Sequence, residues 1–170
     1  MIKPVEQYLI FGINSVQEAL LASNRRCYRL IVEQGNISPR IQTIIEMAKE
    51  KLIPIEPKTK SSFQKKFKKQ VHQGIAGYFS DIVTLGLEKL IEKAFENSAL
   101  PTLVILDGIQ DPQNLGAIIR SAETLGIQGM ILSKHGTSSL TETVAKCSSG
   151  AIEYLPISRV NNLVRCVGQL

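Results

Sequence analysis

Two hydrophobic periods alternate along the chain. Val16, Ala19 and Leu20 recur at helical spacing, with Asn14 or Ser15 placed to cap the helix. Residues 28–32 read as a strand. Ser38 and Pro39 then supply a cap and a first-turn proline ahead of Ile41, Ile44, Ile45 and Ala48. Residues 53–55 make a short second strand. Ser61 or Ser62 starts a basic helix through Phe63, Phe67 and Val71, and residues 74–78 form a closing strand. Strands alternating with helices predict a small α/β layer domain over residues 1–80.

Residues 80–86 leave the periodic pattern. A helix over 87–97 follows, with Leu87, Leu90, Ile91, Ala94 and Phe95 on one stripe, so residues 81–98 are read as linker and helix. Residues 102–106 are a continuous apolar run, the pattern of a strand covered on both faces of a parallel sheet. A turn-rich loop over 107–114, a helix over 115–125 ended by Gly126, and a strand over 129–132 make a βαβ unit with an expected right-handed crossover. A helix near 141–147, a strand over 152–155 and a last helix from Val160 continue the alternation. The fold class is α/β, with a second domain over residues 99–170.

Composition excludes several classes. A chain of 170 residues with 44% hydrophobic residues can bury a core and is not a disordered polypeptide. No apolar run approaches the ~20 residues that span a bilayer, and MIKPVEQYLIFG lacks a secretory cleavage pattern. Cys27, Cys147 and Cys166 are widely spaced with no C-x-x-C. They suggest neither a disulfide framework nor a zinc site, and they fit a reducing, cytoplasmic location. The net charge of +5 is uneven: residues 1–100 hold fifteen Lys and Arg against ten Asp and Glu, whereas residues 101–170 hold five of each. Only the first region is expected to meet an anionic surface.

The candidate chemistry lies in two places. Loops at the carboxyl ends of parallel strands are where α/β sheets place ligands, which singles out residues 107–114. Asn114 is placed to cap the following helix, whose free N–H groups favour an anion. Gly116, a poor helix former, suggests close approach by another backbone or a ligand. Arg120 lies mid-helix among apolar neighbours and needs a carboxylate or phosphate, unless it pairs with Glu123 or reaches water. The second place is KTKSSFQKKFKK, residues 58–69. Its lysines are Lys58, Lys60, Lys65, Lys66, Lys68 and Lys69, and no acid occurs between Glu56 and Asp81. Such a run is either a solvated helix face or a phosphate-binding patch, with Phe63 and Phe67 packing inward. Arg25 and Arg26 are secondary candidates. His72 and His135 lie far apart with no clustered ligands, so a metal is not expected. Cys147 follows Lys146 but has no identifiable base partner.

DGIQDPQNLGAIIRSAETLGIQGMIL resembles the first motif of the SpoU (TrmH-like) RNA ribose 2′-O-methyltransferases of the SPOUT superfamily. FGINSVQEAL and VHQGIAG resemble the family's N-terminal substrate-binding domain, which is similar to ribosomal protein L30e, and KCSSGAIEYLPISRVNNL resembles the segment after motif one. The resemblance runs in family order from about residue 9. It implies an L30e-like domain over 1–80 and part of a SPOUT domain over 99–170. It also implies S-adenosylmethionine as cofactor, RNA (rRNA or tRNA) as partner, and a homodimer in the complete form. Asn114 and Arg120 match the motif-one Asn and Arg, which implies that Arg120 helps activate the ribose hydroxyl or holds the adjoining phosphate. Among relatives the chain looks most like enzymes that methylate a guanosine ribose of 23S rRNA. The family's second and third motifs, which form the cofactor pocket and thread the knot, are absent from the sequence, so the chain is expected to be a truncated form lacking most of that pocket. The alternative expectation is a non-catalytic RNA-binding protein with a residual α/β half-domain.

Overall fold

Strand β1 (Tyr8–Phe11) runs into Gly12, whose φ of 92° turns the chain into helix α1 (Ile13–Ala22). Asn14 and Ser15 are inside this helix and do not cap it. Asn14 Oδ1 accepts from Arg40 Nη2 at 2.6 Å, Ser15 is buried, and the free N–H of Ile13 is satisfied by Gln73 Oε1 at 3.0 Å. A helix's orphan donors need partners but not local ones, so a distant glutamine replaces the cap that sequence places nearby. The computed structural model describes residues 7–35, 37–67 and 71–170; Lys68 and Lys69 lie outside them. The chain divides into one unit through Ile82 and a second of Val83–Leu170.

In the first unit, β2 (Cys27–Glu33), α2 (Pro39–Glu50), β3 (Ile55–Lys58), α3 (Lys60–Lys66) and β4 (Ile75–Phe79) follow. Ser38 caps α2 by accepting from Ile41 N. Strand β3 begins two residues later than expected, because Pro54 lends its carbonyl to Leu30 N and Ile55 starts the ladder. Helix α3 is capped by Thr59, not by Ser61 or Ser62, and ends before Val71, which is exposed. The sheet order is β1-β4-β2-β3, with β2 and β3 parallel and the other pairs antiparallel. Leu30, Val32, Ile75 and Phe79 pack with the apolar stripes of α1 and α2, while Phe63 and Phe67 cover Phe11, Ile31 and Ala76 on the other face. Gly77 leaves the room that Leu30 and Phe79 fill, since a Cβ there would stand 2.8 and 2.6 Å from their side chains.

The second unit contains α4 (Leu87–Asn97), β5 (Leu103–Leu106), α5 (Pro112–Thr124), β6 (Gly129–Ser133), α6 (Glu142–Cys147), a 3-10 turn (Ala151–Glu153), β7 (Ile157–Val160) and α7 (Leu163–Val167). Its sheet is parallel, ordered β5-β6-β7. The interval expected as linker and helix contains α4, whose buried Leu90 packs with Ile131 and Cys166 as a layer of this unit. Of the expected stripe on α4, only Leu90 and Ala94 are buried, and Phe95 is exposed. Strand β5 is half-buried because it is an edge; the strand buried along its whole length is central β6. The strand expected at 152–155 is instead the 3-10 turn and its exit. A short apolar run does not separate these states, and Gly150, at φ 96°, starts the turn.

Helix α5 packs against α6 through Gly116. A Cβ there would stand 2.5 Å from Cys147 Cβ and 2.9 Å from the Val144 carbonyl oxygen. Gly116→Ala gains ~1 kcal/mol of helix propensity but forces overpacking that costs about 1–3 kcal/mol, so the urea midpoint is expected to fall. A raised midpoint would show that the two helices do not need this approach. Burial pushes the Cys27 thiol up to about 12. The folded state therefore keeps a proton that the unfolded chain loses, and this contribution to stability is present at neutral pH and declines as pH rises through the interval from about 8.5 to about 12. Unfolding titrations should show a steeper alkaline loss in the wild type than in Cys27→Ala; equal slopes would refute it.

Candidate functional site

Helix α5 starts at Pro112, three residues earlier than the sequence suggests. Its cap is Asp111, whose carboxylate accepts from Gln113 N at 2.9 Å. Asn114 is therefore not the cap but a residue of the first turn. The correction has an electrostatic consequence: Asp111 already occupies the positive helix end with negative charge, so this terminus does not favour a further anion.

Asn114 and Arg120 are both exposed on α5, where Leu115, Gly116, Ile119 and Ala122 form the buried side. Each is three residues from exposed Ala117. Helical geometry places them on adjacent stripes with a small side chain between, about 9 Å apart along the axis. Among the described residues, the Arg120 guanidinium makes no ion pair or hydrogen bond, and the pairing with Glu123 does not form. This guanidinium is free to meet a ligand. Gly116 serves close approach to another backbone, that of α6, and Cys147 spends its Cβ in the same contact. Lys146, partly desolvated, is shifted below the usual amine range.

The loops after β5 and β6 are tied together by Ser138 N, which donates to the Ile109 carbonyl at 2.8 Å. Arg159 on β7 donates through Nη2 to the Thr137 carbonyl at 3.3 Å. Arg159 Nε and the hydroxyls of Thr137 and Thr141 are buried without a partner among the described residues. The Ser158 hydroxyl is a fourth such group, and unsatisfied polar groups in the loop after β6, at the start of α6 and on β7 suit a polar ligand at the carboxyl ends of a parallel sheet. The sequence reading missed them because a threonine pair and a strand arginine carry no motif.

The cations of the first unit separate into two kinds. Arg25, expected on the surface, is 7% exposed; its Nε donates to the Ser80 carbonyl at 2.7 Å and its guanidinium lies over Phe79. It joins β2 to the end of β4 and is not presented to a phosphate. Arg26 is exposed over Tyr28 and lines a cleft of about 420 Å³ with Lys51 and Leu52. Lys60, Lys65 and Lys66 are exposed on α3, and Lys58 pairs with Glu56 at 2.6 Å. Lys58, assisted by Arg29 and Lys66, holds the Glu56 carboxyl below its ordinary range. Arg29, which no sequence pattern singles out, lies 4.5 Å from the Tyr78 ring centroid. His72 is structural: its ring packs tilted against Phe63, centroids 4.7 Å apart, and its Nδ1 accepts from Gly74 N.

Residues 9–82 match the model described as RNA 2′-O ribose methyltransferase substrate binding, and residues 101–170 match that of the SpoU rRNA Methylase family. A protein of Staphylococcus aureus (strain MSSA476) assigned to the TrmH family of tRNA/rRNA methyltransferases is 33% identical over 98% of this chain and 66% of its own length. One from Bacillus subtilis (strain 168) is 35% identical over 95% and 64%. The chain thus spans about two thirds of these relatives, just short of it in both cases. Among solved structures, the AdoMet-bound rRNA methyltransferase of Sinorhizobium meliloti superposes with a TM-score of 0.73 at 20% identity, covering 95% of this chain and 58% of that one. The SpoU methyltransferase AviRb of Streptomyces viridochromogenes gives 0.73 at 16% identity, covering 96% and 57%. These likenesses show a shared α/β fold.

Proposed function

From the premise that the chain belongs to the SpoU rRNA methylase family, we propose that it is the RNA-holding part and the first catalytic segment of a ribose 2′-O-methyltransferase. The proposed target is a guanosine of 23S rRNA, and the proposed complete form is a homodimer. The observation that carries the reading is Arg120: an exposed guanidinium with no internal partner among the described residues, at the motif-one position. S-adenosylmethionine, when bound, supplies an electrophilic sulfonium methyl group. Its carboxylate and ribose hydroxyls suit the partnerless donors of Thr137, Thr141 and Arg159, which are the residues here that would hold it.

A guanidinium is in general a poor base, so the role of Arg120 is electrostatic. Its chemistry is to fix the RNA phosphate and to stabilise negative charge on the 2′-oxygen, whose proton passes to water. The Asn114 amide, which both donates and accepts, orients the nucleotide beside it. Cells lacking the gene should lose one ribose-methylated guanosine in 23S rRNA, mapped by mass spectrometry of nuclease digests. A complete methyltransferase that contains this segment should restore it. Arg120→Ala should not, and Arg120→Lys should restore it only weakly because it lacks the bidentate fork. A full set of methylated riboses in the deletion strain would defeat the reading. In calorimetric titration, the 170-residue polypeptide is expected to show no micromolar binding of S-adenosylmethionine; saturable binding would show the pocket to be complete without the two later motifs.

The lysines of the first unit contact phosphates in this reading and read no sequence. Replacing Lys58, Lys60, Lys65 and Lys66 by Gln should reduce the salt dependence of RNA binding by about 0.7 log–log units for each lost contact. An unchanged slope would return these lysines to the role of a solvated surface.

A further inference from the structure

We infer that the partly open sheet face of the first unit is a stacking site for an unpaired RNA nucleotide, built on Arg29 and Tyr78 with Lys66 and Lys58 beside them. The inference rests on the RNA reading above and names where on this unit a base is held.

The site depends on a register shift. Cys27 pairs with Phe79, but Arg29 pairs with Tyr78, so Tyr28 is the extra residue of a β-bulge in β2. Regular pairing from Cys27 would set Arg29 opposite Gly77, which offers no ring. The bulge brings guanidinium and ring to one face as a direct cross-strand pair, 4.5 Å from carbon to centroid. Lys66 Nζ reaches the same ring at 5.3 Å.

Among the described residues, α3 covers only part of this face. Phe63 of this seven-residue helix and Phe67 just after it are buried over Phe11, Ile31 and Ala76, while Leu9 and Tyr78 are only partly covered. The Arg29 side chain is 46% exposed. Three cations, Arg29, Lys58 and Lys66, surround one carboxylate, Glu56, which lies 2.6 Å from Lys58 and 4.0 Å from Arg29. Glu56 restrains the two cations without cancelling the local positive charge. A flat cation over an aromatic ring, bordered by further cations, matches a base with its flanking phosphates. A duplex keeps its bases stacked internally and would meet only the lysines. The chemistry therefore favours a single strand.

The test uses the full chain and a short unstructured RNA carrying one 2-aminopurine, with a duplex of the same sequence as control. Stacking should quench the probe on binding. Tyr78→Leu, which keeps apolar contact with the neighbouring core, should weaken single-strand binding about tenfold and abolish quenching, with the salt slope and duplex binding unchanged. Arg29→Lys should behave alike, and Tyr78→Phe should match wild type. Circular dichroism and melting curves identify a variant that has lost its fold; Arg29→Lys, a surface change, keeps the test decisive in that event. Wild-type affinity and quenching in folded Tyr78→Leu or Arg29→Lys would overturn the inference, as would equal losses for single strand and duplex. A wild-type chain that binds neither RNA would instead overturn the RNA reading itself.

Discussion

Helix α5 is fixed by a contact that exists because a side chain is missing. At Gly116 the backbone approaches α6 so closely that a methyl group would meet Cys147 Cβ, the Val144 carbonyl and the Ser148 amide. A helix seated on so narrow a point has one rotational setting. That setting buries Leu115, Ile119 and Ala122 and turns Asn114, Ala117 and Arg120 to solvent. The exposed guanidinium is thus a consequence of packing on the opposite side of its helix. The glycine in motif one need not touch a ligand to be required, because it decides where its neighbours point.

The first unit uses the same economy in a different form. Two short blocks far apart in the chain, FGIN and VHQG, meet in space. Gly12 turns the chain and Gln73 supplies the donor-satisfying oxygen at Ile13. His72 packs on Phe63 and Phe67, and Gly74, at φ 80°, leads into β4. Helix α3 is short and basic, yet it is anchored by Phe63 and Phe67 at 0% and 4% exposure, which leaves its lysines outward. The cationic surface is held by an aromatic cluster beneath it.

Charge also sorts itself by neighbours. Asp111 at the start of α5 removes the anion preference that a bare helix end would have. Arg25 and Arg26 are adjacent, but one is committed to Ser80 and Phe79 while the other is exposed. Neither outcome follows from counting charges, since burial depends on which strand end each residue meets.

Periodicity determined most of the elements: the stripes of α1 and α2, the Ser38 cap with its proline, and the parallel strands β5 and β6 are local patterns with local causes. The outward lysines and the inward Phe63 of α3 belong to the same class, because one helix turn suffices to separate them. Tertiary structure decided what depends on partners distant in sequence. It set the Gln73 cap, the burial of Arg25, the conversion of an apolar run into a 3-10 turn, and the bulge that pairs Arg29 with Tyr78. Local propensity reaches only three or four residues, whereas register and close approach are fixed by surfaces that meet after the chain has folded.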